Sequence, residues 1–577
     1  MLPAKRLWTL ISVLVLVAMV MVACAPAPAA PAPEAKATAA PQPAAAQPTA
    51  APAAAAAAKP ADAAPKQTLK FLYERGNLNA PAPHLQGDLG REWSQLFYMT
   101  LLVTDKDNKL MPGLASSWSA NADNTVYTFK INPNAVWSDG KKVTAADVKA
   151  TWEWNADPRT LNTQINNVLG PVVGFSQIVS GTKVSLAGLV AKDDSTLEVT
   201  LAQPDPMFAY RTSLHWSGVA RVDEIEKAVA ENKLAQYFAG NPAVNGPYKI
   251  ELWDNAKNEY NIVLNPKWWG TKPLIERIEL RSILDPQTII VAMENKEADA
   301  AYVLGSDTVT EFKKRLPNGA VYKPVPFVIY WYWFINRNLT DDPWLRKALQ
   351  HAVDMDQIAQ VSTLGTYKAW KSLFHPAVAC YNESLAGTYF KYDPTLAKEE
   401  LAKSKYGPTG DKVPKIILTA TGISDVARAA QIMVEMWRQN LGITNVEIIT
   451  KALPPDEAAK VPIGRLSMTA YIPDPINLLY NLGYSKGLIP GLMGGYKNDA
   501  LDAAILAADR VPRTDPKFCE LAVKAHNLFA DDYMIIPYIA QDRYWFVQPW
   551  LKNVGINNSE TPYSFFTGPN LTYIANR

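Results

Sequence analysis

Side chains that could do chemistry are few in this sequence and stand apart from one another. The five histidines, His84, His215, His351, His375 and His526, occur singly. No two have metal-ligand spacing, and no C-x-x-C is present, so the sequence implies no metal. An isolated histidine is by default a structural residue. There is no H-E-x-x-H pair, no Walker lysine loop and no G-x-G-x-x-G fingerprint. Active sites can be assembled from distant residues, but an enzyme reading has no motif to rest on. The expectation is a protein that binds without catalysing and without a cofactor.

The first cysteine in the chain, Cys24, carries a different chemistry. Lys5 and Arg6 precede an uncharged run of 17 residues, Leu7 to Ala23, which ends in Val22-Ala23-Cys24. Positive start, apolar stretch and small residue at a cleavage point are the order of a secretory signal peptide. The run is short for a membrane span, which needs about 20 apolar residues. A Cys directly after the small residue resembles a bacterial lipobox, with Met21 where Leu is usual. That resemblance implies cleavage after residue 23 and acylation of Cys24. The protein is then expected at the outer face of the cytoplasmic membrane or in the periplasm, lipid-anchored. Residues 24–66 read as its tether, since 33 of the 42 residues from 25 to 66 are Ala or Pro. Such a segment has nothing large to bury and favours extended polyproline geometry. At roughly 3.1 Å per residue it would reach at most on the order of 130 Å.

Behind this leader, the composition allows a large packed core. The chain has 577 residues, 48% of them hydrophobic and 19% charged. Basic residues number 57 and acidic residues 55, for a net charge of +2, too even a balance to imply nucleic acid as a partner. Trp is abundant at 17 and Tyr at 25, more than a core alone calls for. With three cysteines, a disulfide framework is excluded. Cys380 and Cys519 read as two isolated buried thiols, and could pair only if the fold brings them together.

From Thr68 onward the hydrophobic periods are those of an α/β protein. Val126–Ile131 and Thr196–Leu201 alternate as half-buried strands. Thr144 and Asp147 form a capping-box pattern ahead of a helix bearing Val148 and Trp152. Asp342-Pro343 suits a helix start, followed by a stripe of Leu345, Ala348, Leu349 and Ala352. Val426, Ala430, Met433 and Trp437 mark another helix, closed by Gly442. Leu501 and Ile505, then Leu521, Ala525 and Leu528, mark two more. Strands and helices mix throughout without repeats, which argues for α/β lobes.

One stretch goes further. Residues 101–154 read LLVTDKDNKLMPGLASSWSANADNTVYTFKINPNAVWSDGKKVTAADVKATWEW. Pro112-Gly113-Leu114-Ala115, Trp118, Trp137-Ser138-Asp139-Gly140, Thr144-Ala145 and Asp147-Val148 together resemble the signature of the family 5 solute-binding proteins, the oligopeptide- and dipeptide-binding group. Asn245-Gly246-Pro247-Tyr248, Asn265-Pro266, Trp268-Trp269, the run NKEADAAYV at 295–303, Phe334-Ile335-Asn336 and the segment 467–479 follow in the family's order. The resemblance covers about Thr68 to Arg577. It implies an α/β, periplasmic-binding-protein-like two-lobe fold (type II, cluster C) with an extra third domain. The first domain would combine 68–110, 244–330 and 542–577, the second would be 111–243 and the third 331–541. Two strand crossings would form a hinge, and a cleft would close over a small-molecule solute. The partners implied are an ABC permease and its ATPases, with the receptor itself a monomer. Asp139-Gly140 suits a turn needing positive φ, so these words read as structural and not as ligand contacts.

Ligand class is expected from a few positions. Peptide-binding relatives carry an Asp for the peptide α-ammonium where this sequence has Tyr471. Asp474 matches the acidic-Pro step that follows. Arg465 stands where peptide binders keep an Arg toward the ligand's carboxylate side. The aromatic run Tyr330-Trp331-Tyr332-Trp333-Phe334 lies at the expected hinge and cleft border, and Trp93 in a segment that faces the cavity in relatives. Indole faces stack on sugar rings, so an oligosaccharide stands beside an oligopeptide as the expected solute. Alternation puts Tyr330, Tyr332 and Phe334 on one face of the strand and Trp331 and Trp333 on the other. One face is expected to be core, with Trp331 and Trp333 lining the cleft.

Overall fold

The computed structural model describes residues 59–576 except 77, 83–92, 106–108, 161, 184, 317–319, 323–328, 339–340, 376–377, 386–388, 422–423, 452, 455–456, 458–459, 470–473, 542–543 and 555–570. Cys24, Tyr471 and His84 lie outside the described residues. No described helix is long and apolar enough to cross a membrane.

Three sheets organise these residues. A seven-stranded sheet runs in the order Ala320–Tyr322, Tyr544–Val547, Ala300–Val303, Thr68–Tyr73, Arg277–Ser282, Glu259–Leu264, Tyr248–Asp254. Thr68–Tyr73 is parallel to both neighbours, with Leu69 opposite Ile278 and Phe71 opposite Ala300. A four-stranded antiparallel sheet uses Ala115–Ala120, Val126–Ile131, Thr196–Thr200 and Leu189–Asp193. A five-stranded mixed sheet runs Val446–Ile449, Ile416–Thr419, Ile463–Thr469, Ile329–Ile335, Ile535–Gln541. The chain passes from the first of these sheets to the last between Tyr322 and Ile329, and returns between Gln541 and Tyr544. Two short crossings therefore join the sheets.

Local chemistry sets the helices that cover them. The Thr144 side chain accepts from Asp147 N at 3.2 Å, and Asp147 Oδ2 accepts from Thr144 N at 2.8 Å, closing the expected box ahead of Ala145–Ala156. Asp342 caps Pro343–His351 through Trp344 N and Leu345 N. In Ser424–Leu441, Val426, Ala430, Met433 and Trp437 are fully buried. Gly140 has φ of +91°, as the Asp-Gly turn requires.

The family-like words are structural joints. Buried Asn245 accepts from Met99 N at 2.7 Å and donates to Val219 O at 2.9 Å, tying the segments that leave for and return from the four-stranded unit. A Cβ on Gly246 would stand 2.3 Å from Leu96 O, so only glycine fits there.

Two expectations are corrected. The tether does not extend to residue 66. Ala63 bridges Ala575, Ala64 N donates to Ile574 O at 2.8 Å, and the Tyr573 hydroxyl donates to Asp62 at 2.9 Å. Alanine is small enough to pack against the C-terminal strand, which composition alone does not reveal. Cys380 and Cys519 are not isolated thiols but a disulfide, their Cα atoms 5.0 Å apart across 139 residues of sequence. Cys519 lies on the helix Pro516–Ala530, and the loop bearing Cys380 folds back onto it.

Candidate functional site

The strand Ile329–Ile335 is flanked on both sides, by Ile463–Thr469 and by Ile535–Gln541. Its period-two alternation holds, but both faces are buried. Trp331 and Trp333 join a core with Leu345, Leu349 and Trp437, while Tyr330, Tyr332 and Phe334 join another with Trp370, Phe374 and Leu479. The expectation that only one face is core is therefore corrected: helices cover each side of this sheet. Trp333 is 1% exposed and donates Nε1–H to Thr419 O at 2.8 Å, the setting of a core side chain. Tyr332 is likewise buried, 6.1 Å from the Trp370 ring. Trp93 is buried edge-on to Phe71, with ring centroids 5.5 Å apart, in the core beside the seven-stranded sheet.

Trp331 has a different environment. The guanidinium carbon of Arg465 lies 3.9 Å from the centre of its ring, a cation–π contact. The backbone of Arg465 is fixed by Arg465 N donating to Thr419 Oγ1 at 2.6 Å. Its Nε is buried without a hydrogen-bond partner, as is Trp331 Nε1. No described carboxylate pairs with Arg465. Burial pulls its pKa down to about 10, against a smaller opposing effect of Tyr332. Desolvation without an anion disfavours a charge, and a carboxylate arriving here would remove that penalty. Chemically this is a half-made ion pair beside an aromatic wall, with two N–H donors waiting for acceptors.

Asp474 is placed elsewhere. It is 3% exposed, caps Pro475–Leu482 through Ile476 N at 2.8 Å, and its Oδ2 accepts from Arg513 Nε at 2.6 Å. It also lines a cavity of about 310 Å³. One wall of that cavity includes Asn167, Asp205 and Arg211, and the other Tyr480, Asp509 and Arg513. Arg211 Nε meets Asp205 Oδ2 at 2.6 Å, and Arg513 NH2 meets Asp509 Oδ1 at 2.9 Å. Burial, and then the charge of Asp205 among other contacts, raises the pKa of Asp509. Sequence reasoning missed all four of these ionic residues, because they come from segments far apart in the chain.

The expectation that the sequence holds no catalytic motif, a G-x-S-x-G elbow included, is corrected at one place. Gly483-Tyr484-Ser485-Lys486-Gly487 has the G-x-S-x-G spacing of a hydrolase nucleophile turn. Here it joins two helices, Pro475–Leu482 and Leu488–Leu492, with no strand leading in. Ser485 Oγ donates to Asp502 Oδ2 and Ser485 N to Asp502 Oδ1, a helix-tying contact without a histidine base. Among the described residues, no group of three or more His, Cys, Asp or Glu could hold a metal ion.

The model of the bacterial extracellular solute-binding proteins, family 5 (middle), matches residues 109–488. The periplasmic oligopeptide-binding protein OppA of Salmonella typhimurium is 29% identical over 489 residues, covering 81% of this chain and 86% of that protein. The oligopeptide-binding protein OppA of Bacillus subtilis is 26% identical over 469 residues, covering 79% and 83%. Among solved structures, the murein tripeptide binding protein MppA of Escherichia coli superposes with a TM-score of 0.74 at 20% identity, covering 89% of this chain and all of that one. Haemophilus influenzae OppA in complex with RPPGFSPFR gives 0.72 at 22% identity, with the same coverage. The fold is the two-lobed, type II periplasmic-binding-protein architecture with a third domain.

Proposed function

Since the chain is a member of the bacterial extracellular solute-binding proteins, family 5, we propose that it is the peptide receptor of an ABC importer, capturing an oligopeptide between its lobes and delivering it to a permease. The observation that carries the peptide reading is Arg465, a half-buried cation with an enclosed Nε and no described carboxylate partner, laid over Trp331. A peptide brings both a carboxylate for the guanidinium and carbonyls for the free N–H groups. Curated relatives of 26–29% identity carry oligopeptide-binding names. A neutral oligosaccharide has no anion to offer Arg465. Two of the rings that favoured it, Trp93 and Trp333, are packed in cores.

In this reading the lobes are 68–110 with 244–330 and 542–577, joined by 111–243, opposed to 331–541. They swing about the two crossings, and the ligand is bound by contacts that exist only when the lobes meet. Selectivity comes from the lining of the cleft, and no bond is made or broken. Cys24 is the lipid attachment point, with the Ala/Pro-rich segment holding the receptor near its membrane partner.

A thermal-shift series tests the assignment, because a ligand that binds only the folded state raises its stability by mass action. Tri- to pentapeptides should raise the melting temperature, and the same peptides with amidated C-termini should bind at least tenfold more weakly. Arg465→Met should abolish the difference between acid and amide. Stabilisation by cello-, xylo- or manno-oligosaccharides with no response to peptides would overturn the peptide reading.

A further inference from the structure

The 310 Å³ cavity shares no lining residue with the Arg465–Trp331 site, and its ionic content is uneven. Its walls belong to different units. Asn166, Asn167, Asp205 and Arg211 come from the segment around the four-stranded sheet, and Asp474, Asp509 and Arg513 from helices on the five-stranded one. The inner charges satisfy one another as Arg211 with Asp205, and as Arg513 with both Asp474 and Asp509. Arg211 also feels Asp509 and Asp474 across the gap.

Two further cations line the cavity, Arg510 and Lys486. Both are exposed to solvent, and neither meets a carboxylate among the described residues. Four cations thus face three carboxylates. Around them stand Asn166, Asn167, Gln203, Asn477, Tyr480 and Asn481. A surplus of positive charge bordered by amide donors suits carboxylate oxygens. The volume lies at the lower end of the roughly 300–1,000 Å³ range of small-molecule sites, which fits a compact solute and not a chain.

We propose that this cavity is a second solute site, taking a small carboxylate anion and coupled to closure of the lobes. It exists only while its two walls are together. An anion held by Arg510 and Lys486 on one wall and by Asn166 and Gln203 on the other adds free energy to the closed state alone, and so raises the affinity of the main cleft. Linkage makes the effect reciprocal: bound peptide tightens the anion by the same factor. The coupling rests on the peptide reading above, whereas the anion site itself does not.

Sodium succinate is the probe, with sodium chloride at matched ionic strength as the control. Calorimetry on the full folded chain should show saturable succinate binding. The double variant Arg510→Ala/Lys486→Ala should weaken it at least tenfold, while peptide affinity in the absence of succinate stays unchanged. Saturating succinate should tighten a pentapeptide about fivefold in the native protein and not in the variant. Equal succinate binding by variant and native protein would overturn the site. Binding without any change in peptide affinity would overturn its link to closure. Peptide titrations without succinate report separately on the receptor function, so failure of one reading is not mistaken for failure of the other.

Discussion

Arg465 reaches past Trp333, its register partner across the strand pair, and lies over Trp331 two residues away. The stacking places a cation where burial penalises it and no described carboxylate compensates. Stability and binding should therefore respond in opposite directions. Arg465→Met, which keeps the apolar length over the indole, should leave the unliganded protein equally stable or more stable in urea. Peptide affinity should fall at least tenfold. A parallel loss of stability in the unliganded variant would mean that Arg465 is a structural residue.

His526 should make the protein acid-sensitive. It is fully buried, and Leu373 N donates to its Nε2 at 3.3 Å, so that nitrogen must stay unprotonated. Burial depresses its pKa to about 4, slightly offset by the bond to Asn527. An unfolded histidine titrates near about 6.5. Between those values the unfolded chain binds the proton and the folded one does not. Stability associated with neutral His526 is thus complete above pH 6.5 and is lost as pH falls toward 4, by on the order of 3 kcal/mol. Urea titrations at pH 7 and pH 4.5 should show a smaller drop for His526→Gln than for the native protein.

Removing the Cys380–Cys519 bridge should cost stability without touching the cleft. It closes a loop of 139 residues, and such cross-links contribute about 2–4 kcal/mol, chiefly by restricting the unfolded chain. The double substitution Cys380→Ser/Cys519→Ser should lower the urea midpoint, and reductant should do the same to the native protein. Peptide affinity should change less than twofold. A larger change would place the bridged loop in the binding site.

Thr144→Ala should cost about 1 kcal/mol, because it leaves Asp147 N without its cap and opens half of the reciprocal box. The helix behind it buries Val148 and Trp152, so the loss should appear as a lower global midpoint and not as local fraying. Thr144→Ser, which keeps the acceptor oxygen, should restore most of it.

What the sequence determined by itself is whatever depends on neighbours along the chain. Asp342-Pro343 starts a helix, Thr144 and Asp147 close a box, and Asp139-Gly140 turns, because each needs only a few adjacent dihedrals and side chains. The family-like words were legible for the same reason, being short joints such as Asn245-Gly246 where backbones touch. Tertiary structure decided whatever depends on distance through space. It joined Cys380 to Cys519, covered both faces of Ile329–Ile335, carried Ala63 onto Ala575, and gathered Arg211, Asp474, Asp509 and Arg510 around one cavity. Periodicity can show that a strand has two faces, but not how many helices will cover them. A charge has no partner or vacancy until the fold sets what lies beside it.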